Sequence, residues 1–338
     1  TPVIEVSDDY LDEVRITLDG ADFTSGTEVI ADGGHLLLVQ ATDLAGSESI
    51  QSVAFEIRTG TRPPFHFGVC AFGNVTMLNH AEIMGFDTAT GQITDGGDVA
   101  AHGGVSLVNN SRLSGEVVAG GNVTLSHNAD IYGDVYLAGS VSLAHNSAIH
   151  GTVFELDTAP APCECGYDLD RVLEFRSTHN DNSVLAADPA IAPYLEDGSL
   201  HVAHNKQVAL PSGVFFFDSI VLENHAGLSL ASGAVVELYV AHELIVANNA
   251  DLSNNPYRAG DLLVVLGTDA DAGEELDIRN NVDLGILLYA PRADLVYSNN
   301  ADLYGGLVIR DLTAENHGQI MVYDSLSTSP PPLVCEGL

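Results

Sequence analysis

The run VSLVNNSRL (105–113), VTLSHNADI (123–131) and VSLAHNSAI (141–149) decides how this chain folds. Each copy reads apolar-x-apolar-x, then a pair drawn from Asn and His, then x-x-apolar. Val105, Val123 and Val141 open the copies at an interval of 18 residues. Two apolar residues at i and i+2 lie on one side of a strand. The polar pair then turns a corner, and the next apolar residue begins a second side. About 18 residues per turn suits a three-sided coil of short strands, each turn rising ~4.8 Å over the last. A helical reading fails, because the apolar period is two and glycine is frequent, with 33 in the chain.

Outward from that run the same unit recurs as VTMLNHAEI (75–83), LHVAHNKQV (200–208), IVLENHAGL (220–228), LIVANNADL (244–252), LDIRNNVDL (276–284), LVYSNNADL (295–303) and LTAENHGQI (312–320). An internal repeat of this kind predicts a solenoid. About ten coils would make a rod ~50 Å long. The Asn and His corners should lie above one another as a hydrogen-bonded ladder built on Asn79, Asn109, Asn128, Asn146, Asn205, Asn224, Asn249, Asn281, Asn300 and Asn316. Asn tolerates the left-handed backbone that a tight corner needs. His80, His127, His145, His204, His225 and His317 are scattered among these asparagines, which favours the ladder over a histidine metal site.

The expected fold is therefore all-β: a three-sided parallel β-helix, right-handed by expectation, behind a smaller β-domain. Residues 1–60 read as short alternating strands (VIEV, VRITLDG, HLLLVQATD, SVAFEIRT) separated by Gly and Asp turns. The helix would occupy 61–151 and 200–326. Between its two parts, 152–199 opens as a Pro/Ala linker, carries two cysteines and holds a short helix capped by Asp168. Residues 327–338 form an extended, proline-rich tail.

The chain carries 47 acidic residues against 11 basic ones, a net charge of −36, with Lys206 its one lysine. Such a surface disfavours nucleic acid and anionic membranes. No apolar run is long enough to span a bilayer, so membrane insertion is not expected. Cys70, Cys163, Cys165 and Cys335 lack the paired spacing of a zinc ribbon. Two disulfides in an exported protein are the expectation; three pairings are open, and an intermolecular bond through an end cysteine is a further one.

Catalytic chemistry finds little support: no GxSxG, HExxH or phosphate-cradling glycine loop occurs. The strongest constellation is Asp251, Asp283 and Asp302, which share one position in three successive copies. Stacked carboxylates ~5 Å apart raise one another's pKa unless water or a cation intervenes. The plain reading is an outward acidic stripe. Calcium bridging is the sharper one, with Arg279 or Arg310 as the base of a lyase site. Asp269 and Asp271, in a second acidic cluster at 269–275, resemble the start of a calcium loop but fall short of its twelve residues. No cofactor is required by any of this.

Two resemblances add to the reading. HLLLVQATDLAGSESIQSVAFEIRTG (35–60) resembles the end of a bacterial immunoglobulin-like surface module, whose turn has the form VxATDxAGN; Ala41 to Gly46 match it and Ser47 stands where Asn is usual. Such modules have one more strand than this chain offers, so an immunoglobulin-like sandwich lacking its first strand is expected, the strand being either outside this sequence or donated by a neighbour. Residues 200–326 resemble an uncharacterised, bactofilin-reminiscent β-helical domain of bacterial surface and pilus-associated proteins. That resemblance rests on Leu210-Pro211-Ser212-Gly213-Val214-Phe215-Phe216-Phe217, on Leu288-Tyr289-Ala290-Pro291 and on the closing Tyr323-Asp324. It implies export to the cell surface, a structural role and no catalytic residues. The expected function is a non-catalytic extracellular filament, stalk or adhesin subunit that associates with copies of itself through rod ends or strand donation, with possible contact to a cell surface or polysaccharide. The competing expectation is a polysaccharide lyase or lectin.

Overall fold

The computed structural model describes residues 4, 6, 10–27, 33–57, 63, 65–163, 167–253, 260–268, 276–278, 280–323 and 326. Cys165, Cys335, Asp269, Asp271, Arg279 and the tail 327–338 lie outside them. The chain divides into two compact units, Thr1–Arg62 and Pro63–Leu338.

In the first unit the strands Leu11–Leu18, Ala21–Asp22, Gly33–Asp43 and Glu48–Ile57 form one antiparallel sheet. Asp43 closes the turn at 43–47 by accepting from the backbone N–H groups of Ala45 and Ser47, each at 2.8 Å. Those hydrogen bonds, Ser47's first, hold its carboxyl below the usual value. The stretch VIEV (3–6), expected as a strand, is not one at its described residues, Ile4 and Val6.

The second unit is a large, almost wholly parallel sheet whose strands fall into three columns. One column joins the strands that open each motif copy: Val75–Leu78 pairs with Val105–Val108, that with Val123–Ser126, and that with Val141–Ala144, all in register. A second joins the strands after the corners, as in Leu113 beside Ile131 beside Ile149. The third joins Val99–Ala101, Val117–Ala119, Val135–Leu137 and Val153–Glu155. Inward residues such as Val105, Leu107, Val123, Leu125 and Leu137 are buried in one continuous core. Gly115, Gly133 and Gly151 mark a place where the backbone of one rung lies on the next. A Cβ at any of them would overlap the glycine backbone one rung below.

Stacking order differs from chain order. The strand Asp302–Glu315 pairs through Leu307–Ile309 with Val69–Ala71 and through Leu312–Ala314 with Val75–Met77, and Gln319–Tyr323 pairs with Glu82–Phe86. The rungs of 200–323 are thus continued by those of 69–155. The chain starts the unit in mid-stack, winds to residue 155, returns, and winds again from 199 to meet its own first rung.

The return segment lies on the outer face of the third column. There the register places Phe216, Tyr239, Val265, Tyr289, Val308, Cys70, Ala100, Val118, Tyr136 and Phe154 in one row. Parallel strands covered on both faces read as unbroken apolar runs, as LLVVL (262–266) does. Cys163 is bonded to Cys70, a bridge between residues 93 apart in sequence, which ties the return segment to the middle of the stack. Leu169 and Val172 of the helix Leu169–Thr178 pack into the same apolar cluster. Asp168 caps that helix, accepting from the Arg171 N–H at 3.1 Å. Arg292 donates to both Asp170 oxygens, at 2.6 and 2.7 Å. Arg176 lies over the Tyr239 ring, 5.0 Å from its centroid, beside Glu237 at 3.7 Å.

Candidate functional site

Two polar features run along the stack, and the first is the Asn/His corner. All ten copies are joined there by main-chain hydrogen bonds: Asn205 to Asn224, His225 to Asn248, Asn249 to Asn280, Asn281 to Asn299, Asn300 to Asn316, His317 to Asn79, His80 to Asn109, Asn110 to His127 and Asn128 to His145, in each case N–H to C=O. The bond from His317 to Asn79 carries the ladder from the last copy in sequence to the first. Asn79, Asn109, Asn128, Asn146, Asn205, Asn249, Asn281, Asn300 and Asn316 all have left-handed backbones, with φ from 50° to 60°. Asn224 has no positive φ and takes part through its carbonyl.

Side chains add a second ladder in part of the column. The Nδ2 of Asn79 donates to Oδ1 of Asn316 at 3.1 Å, that of Asn109 to Asn79 at 2.9 Å, that of Asn128 to Asn110 at 3.3 Å, and that of Asn280 to Asn248 at 3.2 Å. Asn299 donates likewise to Asn280. Elsewhere in the column histidine rings meet: His80 stacks on His317 with centroids 4.9 Å apart and His127 on His145 at 4.4 Å, while His204 and His225 meet edge to face at 5.6 Å.

The other two corners use residues that sequence reading passed over. Oδ1 of Asn74 accepts from the Gly104 N–H at 2.9 Å, that of Asn122 from Ser140 at 2.9 Å, that of Asp98 from Glu116 at 2.8 Å and that of Asp134 from Thr152 at 2.6 Å. Their signal was positional: each is a short polar acceptor standing directly before the valine that opens a strand, Val75, Val99, Val123 or Val135.

The second feature is acidic. Asp251, Asp283 and Asp302 are register partners in successive rungs. Beyond them the column continues through Gln319, Glu82, Arg112 and Asp130, so an amide or a guanidinium separates the later carboxylates. In the unbroken trio, burial raises the Asp283 carboxyl above its usual value and Asp251 adds to the shift; burial likewise raises Asp302, with Asp283 adding. The buried Tyr297 hydroxyl lies inside this region, donating to the Val282 carbonyl at 3.3 Å. Burial first, then Asp302 and Asp283, pushes that phenol well above its ordinary value.

Among the described residues no three His, Cys, Asp or Glu side chains are grouped so as to hold a metal ion. Arg310, the described candidate base, is bound to both oxygens of Asp294 at 2.7 and 2.8 Å. The second acidic cluster with Asp269 and Asp271, and Arg279, lie outside the described residues.

Residues 194–329 match the family model of a domain of unknown function, DUF7305. No curated protein and no solved structure matches this chain.

Two outcomes follow from this geometry. Asn79→Ala forces a left-handed alanine, costing ~1–2 kcal/mol, and removes two amide hydrogen bonds worth ~0.5–1.5 kcal/mol each. Asn79→Gly loses only the bonds, so denaturant titration should rank parent above Gly above Ala; Ala equal to Gly would contradict the corner. The carboxyl trio makes a pH statement. An acid whose value is raised on folding handicaps the folded state above that raised value, and the handicap disappears as pH falls toward the unfolded value. The pair Asp283→Asn/Asp302→Asn should therefore be more stable than the parent at pH 7, with the gap shrinking on acidification. A gap that grows with acid would show that the trio stabilises the fold as carboxylates.

Proposed function

We propose that this chain is a non-catalytic structural protein of the bacterial cell surface. Its second unit is a three-sided parallel β-helix acting as a stiff stalk, and its first an immunoglobulin-like sandwich. The observation that carries the reading is the corner ladder, which links all ten motif copies into one hydrogen-bonded column. Repeat units that bury one another's faces give a rod whose bending would break many contacts at once. The sandwich reading draws on the Asp43 turn and on Leu36 and Ile50, exposed apolar residues on one face of the first unit's sheet that a second sheet would cover.

The surface location draws on the Cys70–Cys163 disulfide, a bond at home in oxidising compartments. No described helix is long and apolar enough to cross a membrane. The carbohydrate-active alternative draws on the raised Asp283 and Asp302 carboxyls, which could serve as proton donors. It lacks a described base beside them, because Arg310 is committed to Asp294.

Immunogold labelling of cells producing the full protein, together with incubation of the purified protein with polyuronate, tests this. Label on the cell exterior and an intact polysaccharide are expected. Label confined to the cytoplasm, or polyuronate cleavage abolished by Asp283→Asn, would overturn the reading.

A further inference from the structure

The parallel stack ends differently at its two extremities. At the 199–217 end two of the three strand edges are covered, while Gln207–Leu210 pairs only with Gly227–Leu230 among the described residues. Leu195–Glu196 pairs antiparallel with Ser199–Val202. Beside the strand Gly213–Leu222, Oδ2 of Asp181 accepts from the Val214 N–H at 2.9 Å, and Asn182 makes a two-way bond with Phe216, accepting from its N–H at 3.0 Å and donating to its carbonyl at 2.5 Å. These side chains take the place of one more strand. Leu185, from the short helix Asn182–Ala187, and Ile191, in the turn that follows it, are buried in the main core and plug its end.

At the other end the final rung, Val141–Ala144, Ala148–Ile149 and Val153–Glu155, pairs only with the rung beneath it among the described residues. Its core positions are uncovered. Leu107 and Leu125 are 0% exposed, whereas their register partner Leu143 is 49% exposed; Val117 and Val135 are 0% and Val153 is 40%. Phe154, stacked on Tyr136, is 40% exposed. A bare strand edge over apolar side chains is a template for another chain.

The charge pattern selects the occupant. In a chain of net −36, residues 139–154 contain no Asp, Glu, Lys or Arg. Copies of this protein repel one another elsewhere, and here two can approach with Glu155, the last residue of the rung, as its one carboxylate. A twofold axis across the stack reverses strand direction, so identical edges can pair antiparallel. We infer that the rung 141–155 is a self-association face that joins two copies end to end and, because the core at the opposite end is plugged and two of its three strand edges are covered, stops at the dimer. The inference rests on the reading of the unit as a structural rod and narrows it: this chain alone gives paired rods of doubled length, not an open filament.

Sedimentation of the full protein at micromolar concentration tests it. A dimer is expected for the parent, and a monomer with unchanged circular dichroism for Leu143→Glu/Phe154→Glu. Ser142→Glu, at an already exposed site, should also dissociate the dimer and keeps the test decisive if the first variant misfolds. Val184→Glu, on the plugged end, should leave the dimer intact. A monomeric parent, a dimer that survives both variants at the open rung, or long polymers abolished by Val184→Glu would each overturn the inference. Polyuronate cleavage by an intact dimer would instead overturn the structural reading and leave the interface standing.

Discussion

A rung of three short strands has to turn sharply between its first and second strands; the second residue of the Asn/His pair is left-handed at all ten corners, and the first as well at six of them. The left-handed region is closed to most side chains, and Asn and His are among the residues that enter it at least cost. Each corner also exposes backbone groups that the next corner must satisfy. Stacking answers both demands: the N–H at one corner finds the carbonyl of the next in every step from Asn205 to His145. Inward apolar residues then lie in register as a consequence, so the core is continuous because the corners are.

Once corners are alike, any rung can stack on any other, and the molecule exploits this by placing its last rungs beneath its first. The arrangement requires a return path along the stack, which accounts for what otherwise looks like an interruption at 152–199. The outer face of the third column is apolar because that segment covers it, and Cys163 fixes the segment at the rung where the two halves meet. The same segment supplies Asp181, Asn182, Leu185 and Ile191 to close the far end. One stretch of chain thus serves as connection, flank and cap.

The repeat, the corners and the rung length were legible in the residues because each follows from local backbone geometry and a period of two. So were the cap at Asp168 and the shared position of Asp251, Asp283 and Asp302. The stacking order was not, because interchangeable copies carry no local mark of their neighbours; what decides it is the reach of 156–198 and the side chains at its end, which read as ordinary loop residues. The apolar outer row from Phe216 to Val118 was visible as the unbroken runs VFFF (214–217) and LLVVL (262–266), whose two-sided burial was not drawn from them. For the disulfides, spacing left three pairings open, and Cys70 with Cys163 is one that they allowed; Cys165 and Cys335 lie outside the described residues.

The order of the rungs can be measured directly. On the first column the rungs run from that of His201 at one extremity to that of Ser142 at the other, nine steps of ~4.8 Å apart or roughly 43 Å, the corner bond from Asn281 to Asn299 carrying the step from the strand Leu276–Ile278 to Val296. Pulsed electron spin resonance between nitroxide amino acids incorporated at 142 and 201 should give a distance of about that length. Stacking in chain order would set the rung of Ser142 next to that of His201, and a separation below roughly 15 Å, only a few rung spacings, would contradict the structure.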